Sequence, residues 1–156
     1  MKKKVYLDTT IPSYLFEERE SIKYHVEVTQ AWWARERTNF DLYISDETVT
    51  ELIRGDYSHQ LKALKCVSEL NMLSLSKRIV EITQVYVDNY LMPRMLEGDA
   101  RHLAYASFYQ MDFLLTWNCN HLANANKQQH IRIINARLKL STPDIVTPLQ
   151  LFTENT

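Results

Sequence analysis

The stretch VYLDTTIPSYL, residues 5–15, decides the fold class and raises the question of function. Residues 5–7 form an apolar run typical of a buried strand. Residues 11–16 read as a short helix that tolerates a proline in its first turn. Between them stands Asp8, a carboxylate at the end of the strand, followed by two threonines. An acid in this place gains a function only if other parts of the chain supply partners for it.

Short apolar runs alternate with longer helical stretches along the rest of the chain. Further strands are predicted at residues 41–45, 71–76 and 112–117, and in the closing segment DIVTPLQLF. Helices are predicted at residues 24–37, 45–55, 59–70, 78–91 and 99–109, and from Asn124 or Asn126 to about Leu140. This alternation predicts an α/β domain with a mainly parallel sheet covered by helices on both faces. We expect the 156 residues to form a single domain, 1–156.

Composition excludes several classes of protein. The only glycines are Gly55 and Gly98, so neither a dinucleotide-binding nor a P-loop glycine motif can be written. A net charge of -1 gives no global field that attracts nucleic acid. No apolar run is long enough for a membrane span or a signal peptide, so we expect a cytoplasmic protein with no membrane partner. Cys66 and Cys119 lack metal-type spacing, and we expect free thiols.

Polar residues near the ends of the predicted strands indicate where a site would form. Asp8 follows the first strand, Glu51 lies in the helix after the second, and Asn118 follows the fourth. Asp99 begins the helix that leads into the fourth strand. Ligands of open α/β sheets bind outside the carboxyl ends of the strands. We therefore expect these four side chains to converge if the first, second and fourth strands are neighbours.

Each of these residues also has a structural interpretation. Asp8 and Asp99 suit helix starts, Glu51 suits a helix surface, and Asn118 suits a turn. Gathered together, however, the acids would repel one another and raise one another's pKa, and a cation would relieve that repulsion. Oxygen ligands select Mg²⁺ or Mn²⁺. We therefore expect Asp8 and Asp99 to bind the ion, and Glu51 and Asn118 to reach the ion or its waters.

The chemistry associated with such an ion is phosphodiester hydrolysis, because the ion acidifies a water and neutralises phosphate charge. Arg54, three residues after Glu51, either holds a phosphate or forms an ion pair on the same helix face. His121 is a second candidate for a phosphate contact, or else a local hydrogen-bond partner. His102, three residues after Asp99, is expected to share its helix face and to be able to pair with it.

Five motifs resemble a known family when they are taken together and in order. They are VYLDTTIPSYL, SDETVTELIRGD, EGDARHLAYAS, DFLLTWNCNHLAN and IVTPLQLF. The set resembles PIN-domain proteins of the VapC-toxin type over nearly the whole chain. The resemblance implies a three-layer α/β/α fold, a divalent metal, ribonuclease activity on an RNA substrate, a cognate antitoxin and a homodimer. Of the adjacent Trp32 and Trp33, one is expected in the core and the other at a dimer or antitoxin contact.

Carried over residue by residue, the family's acidic site falls on Asp8, Glu51 and Asp99. Its fourth position falls on Asn118, where many members have aspartate. An amide oxygen can bind a hard cation or orient a water, but it brings no charge and cannot act as a base. In the implied mechanism Glu51 orients or deprotonates the attacking water, and the product carries a 5′-phosphate.

Thr9 and Thr116 match hydroxyl positions near the family's site and are predicted substrate contacts, although a threonine also suits any strand. Two alternatives remain at this point. A phosphatase of the haloacid-dehalogenase type needs a second aspartate where this chain has Thr10. A non-catalytic PIN-like interaction module with a weakened metal site stays open because of Asn118.

Overall fold

A computed structural model describes residues 1–55, 58–89, 97–118 and 125–154. Its strands are β1 (Lys3–Leu7), β2 (Phe40–Ser45), β3 (Asn71–Leu73), β4 (Phe113–Leu115) and β5 (Asp144–Val146). Its α-helices are α1 (Thr10–Phe16), α2 (Lys23–Glu36), α3 (Asp46–Arg54), α4 (Gln60–Val67), α5 (Lys77–Asp88), α6 (Glu97–Phe108) and α7 (Ala125–Arg137). None of these described helices is long and apolar enough to cross a lipid bilayer.

The strands form one parallel sheet in the order β3-β2-β1-β4-β5. β1 is the central strand: Val5 is in register with Leu42 of β2 on one side and with Phe113 of β4 on the other. In a parallel sheet the carboxyl ends of all strands lie along the same edge. Asp8 therefore leaves the sheet between the ends of β2 and β4.

Alternation along β1 assigns its side chains to two separate cores. Tyr6 faces a cluster built from α5, α6 and α7, which includes Ile82, Leu103 and Ile131. Val5 and Leu7 face the opposite cluster, built from α1, α2, α3 and α4, which includes Ile11, Trp32, Leu52 and Ala63. All three β1 side chains are fully buried. The molecule thus has three layers, with the parallel sheet between two layers of helices. This α/β/α arrangement confirms the predicted fold class.

The boundaries of several elements differ from the sequence prediction. β3 ends at Leu73 rather than at residue 76, because Ser76 is the N-cap of α5 and its hydroxyl accepts a hydrogen bond from the Ile79 N–H at 3.4 Å. Helices α4 and α7 end three residues earlier than predicted, and α6 begins two residues earlier. Residues 90 and 91, which we predicted at the end of α5, lie outside the described ranges.

β4 is also shorter than the predicted strand at residues 112–117. Its regular part is Phe113–Leu115. The N–H groups of Asp112 and Thr116 nevertheless donate to the carbonyls of Lys4 and Val146, both at 3.0 Å. Backbone pairing therefore continues one residue beyond each end of β4, and it carries the chain up to the edge where Asp8 lies.

The connection from β2 to α3 is tight. Ser45 is both the last residue of β2 and the N-cap of α3, and its hydroxyl accepts a hydrogen bond from the Glu47 N–H at 3.2 Å. Asp46 and Glu47 place negative charge in the first turn, where it suits the helix dipole. Because no loop intervenes, α3 starts at the carboxyl edge of the sheet and Glu51 follows within two turns.

Candidate active site

Asp8 lies at the carboxyl end of the central strand with only 1% of its surface exposed. Its Oδ1 accepts hydrogen bonds from the N–H and the hydroxyl of Thr10, at 3.0 and 2.5 Å, and its Oδ2 accepts from the Thr116 hydroxyl at 2.5 Å. Burial raises the pKa of Asp8 to about 6; the charge of Asp99 adds to the rise, while His102 and the threonine hydroxyls oppose it. Three hydrogen bonds therefore fix the orientation of the Asp8 carboxylate. Because its charge is buried, a neutralising partner nearby would be favourable.

Glu51 is joined to the interior by a chain of hydrogen bonds. Its Oε1 contacts Nε2 of His102 and accepts from the Thr9 hydroxyl at 2.9 Å. Nδ1 of His102 lies 2.5 Å from the Tyr6 hydroxyl, which lies 2.7 Å from Oγ of Ser45. The side chain of Glu51 is 32% exposed and that of His102 only 2%. We call this set, from Glu51 through His102 and Tyr6 to Ser45, the buried relay.

The charges of Glu51 and His102 stabilise each other. Burial opposes the charged form of Glu51, but the hydrogen bond and charge of His102 and the Thr9 hydroxyl outweigh it and lower the pKa of Glu51. Burial also opposes the charged form of His102, but Glu51, Asp8 and Asp99 outweigh it and raise the pKa of His102. A carboxylate with a lowered pKa is a good hydrogen-bond acceptor and a weak base.

Helix α6 brings Asp99 to the same edge of the sheet. Asp99 is 5% exposed, and its Oδ1 accepts a hydrogen bond from Nδ2 of Asn118 at 3.3 Å. The N–H of Asn118 donates to Oγ1 of Thr116 at 2.9 Å. A carboxylate at position 118 would repel Asp99, whereas the amide donates to it. The amide at this position therefore removes one charge from the site and supplies one hydrogen bond.

These side chains line one cleft of about 240 Å³ at the carboxyl edge of the sheet. Its lining consists of Asp8, Thr9, Thr10, Ser13, Tyr14, Glu51, Asp99, His102 and Asn118. The four residues expected to converge therefore lie in the same cleft. A larger groove, of about 680 Å³, lies beside the start of β2 and is lined mainly by apolar, aromatic and basic residues that include Phe16, Trp33, Arg37 and Lys62. Its acids, Asp41 and Glu69, are not among the four residues expected to converge, so the smaller cleft is the candidate active site.

The donors of the cleft fit a hard divalent cation. Within the ranges that the structure describes, no three acidic, histidine or cysteine side chains converge on a common ion position. Mg²⁺, however, is usually held by one or two carboxylates, with waters and substrate phosphate completing its shell. Asp8 and Asp99 supply such a pair, since the charge of Asp99 is close enough to raise the pKa of Asp8.

The remaining predicted site residues have different surroundings. Arg54 is exposed at the end of α3 and is not part of the cleft lining, but its charge contributes to the lowered pKa of Glu51. Thr116 is fully buried, so in this structure its hydroxyl holds Asp8 rather than facing a substrate. His121 lies outside the described residues, as does Cys119. Thr9 lines the cleft and donates to Glu51.

Sequence reasoning missed three contributors. Thr10 is the second residue after Asp8, and an Asx turn, in which an aspartate side chain accepts the N–H two residues on, would have identified it. The same contact means that Asp8 also serves α1 as a capping group. The helix spacing predicts that His102 pairs with Asp99 on its own helix, whereas its hydrogen bonds go to Glu51 on α3 and to Tyr6 on β1. Tyr6 was read only as part of an apolar strand.

Gly98 approaches the Glu51 carboxylate closely, and this contact predicts the effect of Gly98→Ala. A Cβ at position 98 would lie 3.1 Å from Oε2 and 3.3 Å from Cδ of Glu51. An alanine inside a helix normally gains about 0.5–1 kcal/mol over glycine. Because His102 and Thr9 hold the carboxylate on its other oxygen, we expect the crowding to cancel that gain, so that the free energy of unfolding does not rise.

The control is the same substitution in a Glu51→Ala background, where the crowded carboxylate is gone. There we expect Gly98→Ala to stabilise by about 0.5–1 kcal/mol, and chemical denaturation of the four proteins gives the coupling energy. If Gly98→Ala changes the free energy of unfolding equally in both backgrounds, a side chain at position 98 does not crowd the Glu51 carboxylate.

The chain is similar to known proteins in structure, but no match is found by sequence. No protein-family model matches the chain, and no curated protein matches it by sequence. A chain of a toxin-antitoxin complex from Klebsiella pneumoniae has 23% identity and a TM-score of 0.59, over 92% of this chain and 97% of that one. A chain of VapBC-1 from nontypeable Haemophilus influenzae has 18% identity and a TM-score of 0.59, over 94% and 98%.

A chain of VapBC2 from Rickettsia felis, solved bound to a DNA fragment from their promoter, has 12% identity and a TM-score of 0.57, over 92% of this chain and 98% of that one. In all three cases nearly the whole of both chains superposes. The protein therefore has the fold of these chains from toxin-antitoxin and VapBC complexes, and the resemblance to VapC-type PIN-domain proteins is confirmed at the level of the fold.

Proposed function

We propose that this protein is a divalent-metal-dependent ribonuclease and the toxin of a toxin–antitoxin pair. The observation that carries the proposal is the convergence of Asp8, Glu51 and Asp99 in one cleft at the carboxyl edge of the parallel sheet. Gathered carboxylates with raised or strongly coupled pKa values are typical of functional sites. The shared fold with components of VapBC complexes supports the same assignment.

In this proposal Asp8 and Asp99 hold Mg²⁺ or Mn²⁺. The bound ion would neutralise charge on the scissile phosphate and lower the pKa of a water. The hydroxyls of Thr10 and Thr116 fix the Asp8 carboxylate, and the Asn118 amide fixes Asp99, so neither acid has to reorganise on binding.

Glu51 orients the attacking water in this mechanism. One of its oxygens is engaged by His102 and Thr9, and the side chain, which is 32% exposed, lines the cleft. Because its pKa is lowered, we assign it to accepting a hydrogen bond from the water rather than to removing the proton outright. The product would carry a 5′-phosphate, as the family implies.

The partners in this proposal are an RNA substrate, a cognate antitoxin and a second copy of the chain, in the cytoplasm. The solved neighbours include a toxin–antitoxin complex, which supports the antitoxin. Trp33 is half-buried in the larger groove, and Arg37 lies over its ring at 5.8 Å. We assign this groove to a protein contact, since partly exposed tryptophan and arginine are enriched at interfaces.

Removal of divalent cations tests the catalytic proposal. Protein stripped with EDTA should lose cleavage of a labelled RNA, and added Mn²⁺ or Mg²⁺ should restore it, because no other cation in the mechanism faces the scissile phosphate. Gel analysis of the time course measures the metal requirement. Phosphatase treatment of the products identifies the 5′-phosphate. Undiminished cleavage by the stripped protein in EDTA would refute the metal requirement.

A non-catalytic interaction module is the second candidate. Two observations favour it: Asn118 replaces a charge at the fourth family position, and Glu51 is already paired with His102. Calorimetric titration with Mn²⁺ separates the two functions. An active nuclease should bind the ion measurably in a way that depends on Asp8, whereas a relic site should bind poorly.

A further inference from the structure

Four aromatic rings form a continuous row that begins in the cleft. Tyr14, which lines the cleft, is nearly parallel to Trp117, with ring centroids 6.4 Å apart and an interplanar angle of 19°. Trp117 meets His25 edge-on at 4.5 Å, and His25 meets Tyr24 edge-on at 5.9 Å. We call these four residues the aromatic ladder. It joins α1, the end of β4 and α2 into one surface.

The ladder is held rigidly from behind. Nε1 of Trp117 donates a hydrogen bond to Oγ1 of Thr29 at 2.7 Å, and that hydroxyl donates to the carbonyl of His25 at 2.6 Å. Thr29 itself is fully buried. One buried hydroxyl thus fixes the indole ring of Trp117 and the backbone of its neighbour His25, so the indole ring is oriented before any ligand arrives.

The ladder is also open to solvent. Tyr24 is 61% exposed, and Tyr14, His25 and Trp117 are partly exposed. A fully structural aromatic cluster would be buried in the core, as Trp32 is. Here the outermost ring, Tyr24, is the most exposed of the four, so a ligand held in the cleft could continue over the rings.

The charge of the chain bears on how this surface could bind a polyanion. The chain carries a net charge of -1, and the cleft contains three acids. The net charge therefore supplies no overall attraction for a phosphate backbone, although the charge of Arg19 acts on Tyr14 at the ladder itself. Stacking of bases on aromatic rings does not depend on charge and accepts any base.

We propose that the aromatic ladder stacks the unpaired bases of a single-stranded RNA segment whose scissile phosphate lies in the cleft. This inference rests on the proposed ribonuclease function and names the surface that binds the bases of its substrate. A duplex would bind poorly, since its base faces are stacked on each other and are not available to the rings.

Binding is tested in the Asp8→Asn background, where the RNA is not expected to be cut. A fluorescein-labelled single-stranded RNA and the same sequence in a duplex are titrated in the presence of Mg²⁺ and followed by anisotropy. We expect the single strand to bind at least about tenfold more tightly, and Tyr24→Ala to weaken its binding by about 5- to 10-fold. Leu61→Ala, which removes a 79% exposed side chain on α4 outside the ladder, is the matched control and should have no effect.

Fluorescence of Trp117 gives a second readout. Single-stranded RNA should quench the tryptophan emission, and Trp117→Phe should abolish the quenching while retaining most of the affinity, since a phenyl ring still stacks. Equal affinities for single strand and duplex, or unchanged binding after Tyr24→Ala and Tyr14→Ala, would overturn the proposal. If those results accompany Mn²⁺-dependent cleavage by the wild type, only the ladder is rejected. If no divalent ion supports cleavage but binding depends on the ladder, the ladder stands and the ribonuclease function is rejected.

Discussion

Asp8→Asn is expected to lower the rate of metal-dependent RNA cleavage by more than about 100-fold, since even the loss of groups that only support a metal ligand costs up to about that factor. The substitution is nearly isosteric, and the amide oxygen can keep the hydrogen bonds that Thr10 donates to Oδ1. The protein should therefore remain folded. Single-turnover cleavage assays and circular dichroism measure the two parts of this prediction.

The same variant should also change how stability depends on pH in EDTA. The pKa of Asp8 is about 6 in the folded protein and has an ordinary value of 3.8, so the folded state binds the proton more tightly. The contribution of Asp8 to wild-type stability should therefore fall by about 3 kcal/mol as the pH rises from about 4 through 6. Asp8→Asn should lack this decline, and Mg²⁺ should reduce it in the wild type.

Asp144→Asn, which changes an exposed aspartate on β5, is the matched control and should leave both the cleavage rate and the pH profile unaltered. Full cleavage activity in Asp8→Asn would remove Asp8 from the proposed mechanism. A stability profile that stayed the same in Asp8→Asn would mean that the buried carboxylate is not the group responsible for the decline.

His102→Ala is expected to destabilise the protein by about 2–4 kcal/mol, because it removes the charged partner of Glu51 and one of the hydrogen-bond partners of the buried Tyr6 hydroxyl. The partial exposure of Glu51 keeps the loss below that of a fully buried pair. His102→Gln should recover part of the loss, since its amide can donate to Glu51. Urea denaturation gives the free energies, and His130→Ala, at an exposed histidine of α7, is the control.

The pH dependence of this loss distinguishes a charged pair from simple packing. The lowered pKa of Glu51 adds stability above its ordinary value of 4.5, which is lost as the pH falls. The raised pKa of His102 adds stability below its ordinary value of 6.5, which is lost as the pH rises through the folded-state value. The difference between wild type and His102→Ala should therefore be greatest between about pH 4.5 and 6.5. A difference independent of pH would reduce His102 to a packing role.

Much of the fold follows from the sequence because each element carries its own signal. The apolar run at residues 5–7 and the alternation of short apolar runs with helical stretches are local features, and they suffice to predict an α/β sheet. Strand ends are less predictable. Asp112 and Thr116 pair their backbone groups like strand residues, yet the side chain of Thr116 turns to Asp8, and no local pattern reports such a contact.

The candidate site was predictable as a set of acids but not as a network. The strand-end rule brings Asp8, Glu51 and Asn118 to one edge without any knowledge of distances. The partner of His102 was not predictable, because helix spacing reports only neighbours on the same helix, and Glu51 is supplied by a helix 51 positions away. The buried relay therefore had to be found in three dimensions.

The central place of β1 has a consequence for the time at which the cleft comes into being. β1 pairs with β2, which follows it early in the sequence, and with β4, which comes late. The hydrogen bonds from Thr116 to Asp8 and from Asn118 to Asp99 can therefore form only after β4 has been synthesised. At synthesis rates of about 5–20 residues per second, about 5 to 20 s separate Asp8 from Asn118 on the ribosome. A chain interrupted before β4 carries Asp8, Glu51 and Asp99 but lacks Thr116 and Asn118, whose side chains hydrogen-bond the two aspartates in the finished protein.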